Sequence, residues 1–202
     1  IDYGGNWKAL HYAARKFFSP LLVSIRDLDD KIEIHVINDQ HNEVESGITL
    51  GLFNFNGDIL FNDLSEINIE PFSSTIYCTF DKNDLLDGIE LSEIMFRAEL
   101  FEGGKVLSRA HQFFRRPKYL NIPSPEFDYE IERVSGKYVI TVKSKSFLCQ
   151  LHLISIKVRG VFRDNYFDML PGEVQMINFE PSENVELKKS DLRIRTLYEM
   201  MN

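Results

Sequence analysis

Residues 31–37 read K-I-E-I-H-V-I, and this alternation of polar and apolar residues decides the fold class. Successive side chains of a β-strand point to opposite faces, so the apolar residues at positions 32, 34 and 36 share one face. Residues 48–52 and 94–100 repeat the pattern. The chain is therefore predicted to be mainly β, built from sheets that each bury one face.

Turn residues separate the alternating runs in the first half of the chain. Asn56-Gly57 predicts a hairpin turn, because both residues tolerate a positive φ. Asp29-Asp30 and Gly103-Gly104 mark two more turns, and residues 81–86 are predicted to form a single helical turn. We count about seven strands between residues 21 and 116, as expected of an immunoglobulin-like β-sandwich.

A proline-rich segment follows this first domain. Residues 117–124 form a predicted linker, extended and semi-rigid, because proline fixes φ and lacks an N–H donor. Residues 125–202 are predicted to form a second, smaller immunoglobulin-like sandwich with a turn at Ser135-Gly136. Within it, residues 147–158 read as one long strand or as two strands broken near Ser155.

One short amphipathic helix is predicted ahead of the strands. Residues 6–20 read N-W-K-A-L-H-Y-A-A-R-K-F-F-S-P, and Trp7, Leu10, Ala14 and Phe17 recur on one face at steps of three and four residues. Tyr12 is placed with the basic residues on the other side. A face this rich in aromatic groups needs a large apolar partner.

The ends and the packing of this helix can also be predicted. Asn6 can cap its N-terminus, and Ser19-Pro20 ends it, because the residue before proline is pushed out of the α region. A helix of about 12 residues is marginal in water by itself. We therefore expect it to fold back on the first sandwich or to pair with the same helix of another copy. Removal of residues 1–18 should then cost little melting temperature.

The composition argues against two classes of partner. The 202 residues are 44% hydrophobic and 27% charged, and the formal net charge is -8. A nucleic-acid footprint needs a clustered basic face, and a membrane helix needs about 20 consecutive apolar residues. The sequence shows neither, so no nucleic-acid and no membrane partner is predicted. Cys78 and Cys149 fall in strands of different predicted domains, which favours buried free thiols over a disulfide.

The sequence shows no catalytic, cofactor-binding or metal-binding constellation. The five histidines lack metal-ligand spacing, and no G-x-S-x-G elbow occurs, so no catalytic residue, no cofactor and no metal is predicted. Asp164, Asn165 and Tyr166 are the candidates for contact with carbohydrate, through hydrogen bonds and ring stacking. Turn chemistry explains the same residues, because Asp and Asn bond nearby backbone beside the Pro171-Gly172 turn.

Three stretches resemble glycoside hydrolase family 2 β-mannosidases. Residues 7–24, W-K-A-L-H-Y-A-A-R-K-F-F-S-P-L-L-V-S, resemble the junction after the catalytic barrel. Residues 162–173, F-R-D-N-Y-F-D-M-L-P-G-E, resemble a signature of the C-terminal immunoglobulin-like domain, and residues 111–123, H-Q-F-F-R-R-P-K-Y-L-N-I-P, resemble the connector between domains. The departures are Met169, where Leu is usual, and Asn6, where Arg is common.

The resemblance implies a role for each part of the chain. Residues 1–20 would be the last helix of the catalytic (β/α)8 barrel, and Trp7, Leu10 and Phe17 would dock on that barrel. Asp2 and Tyr3 would lie near the active site as bystanders. The two catalytic glutamates would lie upstream. The implied partner is thus the catalytic barrel of the parent chain.

The resemblance also implies the activity of the parent enzyme. It would hydrolyse terminal, non-reducing β-D-mannose residues with retention, in a periplasmic, extracellular or lysosomal compartment. The present chain would be a non-catalytic accessory part that supports the barrel and shapes access to its site. Two alternatives stay open. A carbohydrate-binding module would show a flat strip of exposed aromatic residues, and an adhesion or protein-interaction module would show an uncovered edge strand or apolar patch.

Overall fold

The computed structural model describes residues 7–201 and divides them into two compact units. One unit comprises residues 15–54 and 58–121 and contains the first sandwich. The other comprises residues 7–14, 55–57 and 122–201 and contains the second sandwich. The predicted fold class is confirmed: the described chain is mainly β, with a short helix, α1 (Ala9–Phe17), ahead of two immunoglobulin-like domains.

The first sandwich consists of two antiparallel sheets. Its strands are β1 (Leu21–Asp27), β2 (Lys31–Asn38), β3 (Val44–Asn54), β4 (Ile59–Ile69), β5 (Ser73–Asp81), β6 (Ile94–Glu102) and β7 (Lys105–Gln112). One sheet has the order β1-β2-β5 and the other the order β4-β3-β6-β7. The alternating residues of β2, β3 and β6 supply its buried core, including Ile34, Leu50 and Leu100.

The predicted turns of both sandwiches have the expected backbone. Gly57, Gly103 and Gly104 have φ of 93°, 55° and 79°, in the left-handed region that glycine adopts without strain. Ser135-Gly136 turns with φ of 49° and 80°. A single helical turn, α2 (Lys82–Leu85), follows β5, and Asp81 caps it by accepting a hydrogen bond from the Asn83 amide at 2.7 Å.

The second sandwich has shorter and more irregular strands. They are β8 (Phe127–Val134), β9 (Lys137–Ser144), β10 (Leu148–Ser155), β11 (Gly160–Phe162), β12 (Phe167–Met169), β13 (Val174–Pro181) and β14 (Leu192–Arg195). Its sheets have the orders β12-β10-β14 and β11-β13-β9-β8. A last helical turn, α3 (Tyr198–Met201), follows β14. The long strand expected from residue 147 ends at Ser155, and the three-residue strands β11 and β12 were not predicted.

The proline-rich segment differs from the prediction of an extended linker. Pro117–Tyr119 forms one turn of 3-10 helix, because proline at the first helical position has a suitable φ and needs no donor there. Leu120 is buried, and the Asn121 amide donates to the Ser92 carbonyl at 2.9 Å. The segment is therefore partly folded against its neighbours.

Helix α1 packs differently from the prediction. Its buried residue is Tyr12, which the sequence placed on the polar side, and Tyr12 belongs to the core of the second sandwich. The expectation that the helix folds back on the first sandwich is therefore wrong for this side chain. The periodicity placed Tyr12 on the polar face because the basic residues Lys8 and Lys16 share that side of the helix. A tyrosine can nevertheless be buried when its hydroxyl forms a hydrogen bond.

The remaining predictions concern the first residues of the chain, the two cysteines and membrane-spanning helices. The predicted cap Asn6, together with Asp2 and Tyr3, lies outside the described residues. Cys78 and Cys149 are free thiols, the first half-buried and the second buried. Burial, together with the nearby Asp63 carboxylate, raises the pKa of Cys78 to about 11. Between residues 7 and 201, no helix is long and apolar enough to cross a membrane.

Candidate functional site

The segment from Phe162 to Glu173 carries the candidate residues and lies around β12 in the second sandwich. Its polar side chains bond to backbone groups of neighbouring segments. Asn165 is 4% exposed, and its amide pairs with both backbone groups of Leu153 in β10. Its Oδ1 accepts from the Leu153 N–H at 2.8 Å, and its Nδ2 donates to the Leu153 carbonyl at 3.0 Å. Asn165 thus replaces a missing strand partner for β10.

Asp168 stabilises an irregularity in the same strand. The pairing of β10 with β12 shifts register between Leu148 and Leu151, and Gln150 has a φ of 51° there. The buried Asp168 carboxylate accepts from the Gln150 backbone N–H at 2.7 Å. A β-bulge leaves an amide without a ladder partner, and this carboxylate satisfies it.

The end of the segment is a turn held by two more side chains. Glu173 accepts from the Leu170 N–H at 2.8 Å, and the Ser144 hydroxyl donates to the Leu170 carbonyl. Gly172 has a φ of 84°, and its N–H donates to the Ser144 carbonyl at 3.0 Å. The polar residues of this stretch therefore serve to fix an irregular backbone between strands.

The aromatic residues of the segment form a cluster with helix α1. Tyr166 has a φ of 57°, and its ring stacks on His152 with centroids 4.9 Å apart and planes 5° apart. Its other neighbour is Tyr12, at 5.8 Å between centroids. Tyr12 donates from its hydroxyl to the Phe162 carbonyl at 3.3 Å and lies 5.6 Å from the ring of Trp7. We call Trp7, Tyr12, His152 and Tyr166 the aromatic cluster.

Burial controls the ionisation of this cluster. Burial raises the pKa of Tyr166, so its hydroxyl stays protonated. Burial likewise lowers the pKa of His152, with a smaller contribution from Arg195, although the bond to the Gln150 carbonyl and Glu199 act in the opposite direction. The cluster is therefore a neutral, packed surface at neutral pH. Through this cluster, Trp7 and Tyr12 hold helix α1 against His152 and Tyr166 of the second sandwich.

The sequence candidates are thus brought together only in part. Asp164, Asn165 and Tyr166 share one turn, in which Asp164 accepts from the Asn165 N–H at 2.8 Å. Contact of these residues with a sugar stays a prediction. Tyr166 is half-buried and is the one of the three whose ring would stack on a sugar.

The three candidates for docking on the barrel, Trp7 ahead of helix α1 and Leu10 and Phe17 within it, differ in their exposure. Trp7 is half-buried against the core of the second sandwich, whereas Leu10 is 74% and Phe17 is 49% exposed. Sequence reasoning missed Tyr12 and His152. Tyr12 lies in the resembling stretch 7–24 but was assigned to the polar side of the helix, and His152 stands in no motif. Their contacts with Tyr166 depend on segments far apart in the chain.

The described part of the chain holds no cluster of metal-ligating side chains. Among residues 7–201, no three His, Cys, Asp or Glu side chains come together as a metal-binding group.

Comparison with known proteins relates both sandwiches to mannosidases. The family model described as a mannosidase Ig/CBM-like domain matches residues 30–119, and the model named Ig_mannosidase, described as an Ig-fold domain, matches residues 122–200. Beta-mannosidase A of Aspergillus oryzae is 27% identical over 203 residues, which cover 91% of this chain and 22% of that protein. Beta-mannosidase A of Emericella nidulans is 23% identical over 218 residues, covering 98% of this chain and 23% of the relative. The chain thus spans about a fifth of the length of these relatives.

Solved structures show the same fold. The beta-D-mannosidase from Dictyoglomus thermophilum matches with a TM-score of 0.84 at 20% identity, over 97% of this chain and 24% of that one. The exo-chitosanase of Amycolatopsis orientalis matches with a TM-score of 0.71 at 15% identity, over 97% of this chain and 27% of that one. The two matched domain models, in this order along the chain, and the β-mannosidase relatives agree with the three resembling stretches. The chain is therefore an immunoglobulin-like region of the glycoside hydrolase family 2 β-mannosidase type, with a mannosidase Ig/CBM-like domain followed by an Ig-fold domain.

Proposed function

We propose that this chain is the non-catalytic accessory region of a retaining β-mannosidase that hydrolyses terminal, non-reducing β-D-mannose residues. Its role is to support the catalytic barrel mechanically and to shape access to the barrel's active site. One observation carries the proposal: helix α1 has two opposite apolar faces, and the described structure buries only one of them. The second face is the docking surface for the barrel.

The geometry of the helix explains the two faces. Each residue advances about 100° around an α-helix of 3.6 residues per turn. Tyr12 therefore points about 200° away from Leu10, while Phe17 returns to within about 20° of Leu10. Tyr12 is 4% exposed and bonded to the Phe162 carbonyl. A helix held on one side with leucine and phenylalanine on the other is suited to join two bodies.

The charged side chains support a structural role for the sandwiches. A catalytic acid of a glycosidase needs a raised pKa. Hydrogen bonds from Lys31 and from His35 instead lower the pKa of Glu33. Those from Arg163 and Lys137 lower the pKa of Glu180 to about 2. These carboxylates stay ionised and paired at neutral pH.

An activity measurement tests the non-catalytic part of the proposal. The purified chain is incubated at high concentration with an aryl β-mannoside. We expect no turnover above the rate of the uncatalysed reaction. Turnover that survives repurification and is lost on substitution of one carboxylate within this chain would overturn the proposal.

A joined protein tests the docking part. This chain is expressed in continuity with a family 2 catalytic barrel, and Leu10 and Phe17 are both changed to Ser. We expect the melting temperature of the barrel to fall and mannosidase activity to become more sensitive to heat, because burial of each side chain stabilises by about 1.5–3 kcal/mol. The matched control changes Lys8, directly ahead of the helix, and Lys16 to Ser. Equal effects of the two double variants would contradict docking through the Leu10 face.

The exposed face of helix α1 that carries Leu10 and Phe17 is also proposed to mediate contact between two copies of the chain. In the isolated chain, exposed Leu10 and Phe17 should support weak self-association of helix α1. Sedimentation velocity over a range of concentrations measures it. The change of both residues to Ser should remove any concentration dependence. Unchanged association would assign it to another surface.

A further inference from the structure

The first sandwich is closed along one side and open along the other. On the closed side, the Val23 N–H of β1 donates to the Ser108 Oγ of β7 at 3.0 Å and so links the two sheets. On the other side, β4 ends the four-stranded sheet and β5 ends the three-stranded sheet. Within residues 7–201, neither β4 nor β5 pairs with a strand on its outer edge. Such an edge presents backbone donors and acceptors to an incoming strand.

A cavity of about 330 Å³ opens between these edge strands. Ile67 and Ile69 of β4 face Thr75 and Tyr77 of β5 across it. At the other end, the rings of Phe61 and Phe80 meet edge to face at 5.3 Å and close the gap. The opening is therefore confined to one end of the edge. Its size is at the lower limit of the pockets that take ligands, which suits single side chains of a partner.

Exposed apolar side chains follow the same edge. Leu60 and Leu64 of β4 are exposed, as is Ile76 of β5. Leu64 is opposite Thr49 in the register of β3 and β4, so it lies on the outer face of the sheet, away from the core residue Leu50. Natural edge strands usually carry lysine or proline that discourages pairing. Residues 59–69 contain neither.

The charge of this edge has a single sign. Residues 59–81 contain Asp63, Glu66, Glu70 and Asp81 and have no lysine or arginine. A second copy of β4 placed beside the first would bring carboxylates of the two strands together. Like charges on neighbouring strands destabilise their pairing. Charge complementarity therefore favours a basic partner over a second copy.

We propose that β4 is a docking edge for an extended segment of another polypeptide, in which apolar residues alternate with lysine or arginine. The segment adds to the sheet beside β4. Backbone hydrogen bonds provide the affinity. The apolar side chains share one face of the added strand and contact Leu60 and Leu64 on the outer face of β4. The basic side chains point to the opposite face, where Asp63 lies in register with Leu50, and the Glu66 carboxylate adds to the negative potential of the edge. Addition of a strand to an exposed sheet edge is a general mode of peptide recognition.

A peptide titration of the full chain tests the proposal. The probe is an eight-residue peptide of alternating lysine and valine. A lysine and proline peptide of equal charge lacks half of the backbone donors, and a glutamate and valine peptide reverses the charge. We expect the first probe to bind at least tenfold more tightly than either control at low ionic strength. Its amide chemical-shift changes should be confined to β4, β5 and the turn between them.

Variants of the chain locate the site. Asp63→Lys with Glu66→Lys should weaken binding of the lysine and valine probe at least tenfold. The matched control is Glu183→Lys with Glu186→Lys, which makes the same charge change at exposed residues of the second sandwich and should leave binding unchanged. Leu64→Lys is a second variant in β4, should the double variant unfold in a thermal melt, and it should weaken binding in the same way.

Three results would overturn the proposal. Equal binding of the lysine and proline peptide would show that charge alone attracts the probe. Shift changes outside β4 and β5 would place the site elsewhere. Dimerisation of the chain that Leu64→Lys abolishes would assign the edge to a second copy.

Discussion

The two sandwiches reach a folded core by different means. The first has strands of 7 to 11 residues, and the alternation within each strand supplies the buried face. The second contains two strands of only three residues, and side chains such as Asn165, Asp168 and Glu173 bond the backbone that lies between. A periodic pattern is sufficient for the first. The second also depends on single polar residues, so one substitution there should do more damage.

The largest expected effect comes from Asn165→Ala. The change leaves the Leu153 N–H and carbonyl buried without partners, and each unsatisfied group costs about 1–3 kcal/mol. We expect the second sandwich to lose about 4 kcal/mol of unfolding free energy in urea. The control is Asn178→Ala, on an exposed side chain of β13, which should change stability little. Equal losses for the two variants would show that the hydrogen bonds of Asn165 to the β10 backbone are not what the second sandwich depends on.

Tyr12→Ala should cost somewhat less, about 3 kcal/mol, because it removes a buried aromatic ring from the same core. Leu10→Ala on the exposed face of the same helix is the control and should cost less than about 0.5 kcal/mol. Tyr12→Phe, which removes only the bond to the Phe162 carbonyl, should cost about 1 kcal/mol. Chemical denaturation measures all three. A neutral Tyr12→Ala would restore the expectation that the helix can be removed without loss.

Gly47→Ala applies the same comparison to the first sandwich. A Cβ at Gly47 would lie 2.2 Å from the Phe101 ring, which covers the glycine from the neighbouring strand. The ring is the end of a side chain and can move, so we expect a cost of only about 1–2 kcal/mol. Phe101→Leu in the same chain should recover part of it, and a double-mutant cycle measures the coupling. Additive losses would show that the ring is not the obstacle.

The success of sequence-based prediction follows the same division. The strands around Ile34, Leu50 and Leu100 were predicted because alternation is a local signal. The turn at Gly103-Gly104 was predicted because glycine tolerates a left-handed backbone. The strands β11 and β12 were missed, since three residues carry no period.

The candidate site was predicted less well than the fold. Asn165 was selected because its side chain is polar and it stands beside Asp164 and Tyr166, but the sequence did not identify Leu153 as its hydrogen-bond partner. The register of an irregular segment depends on tertiary contacts. The burial of Tyr12 was missed for the same reason, because its partner is a carbonyl 150 residues away in the chain.

The smallest expected effect is a pH dependence confined to the second sandwich. His152 is buried, stacked on Tyr166 and paired in register with Arg195, and Glu199 lies near it. Burial lowers its pKa below the ordinary value of 6.5, so the unfolded chain binds a proton at higher pH than the folded chain does. Stability is therefore fully present above about pH 6.5 and falls as the pH decreases toward the pKa of the folded state.

Unfolding free energies at pH 7.5 and 5.5 measure this dependence. The chain should be less stable at pH 5.5, and His152→Gln, which cannot take up the proton, should show a smaller difference between the two pH values. His41→Gln, at an exposed position in the first sandwich, should keep the full difference. Glu180 does not interfere, because its pKa of about 2 confines its contribution to pH values below about 4.5. If His152→Gln retained the whole difference, the pH dependence would belong to other groups and the aromatic cluster would be insensitive to protonation.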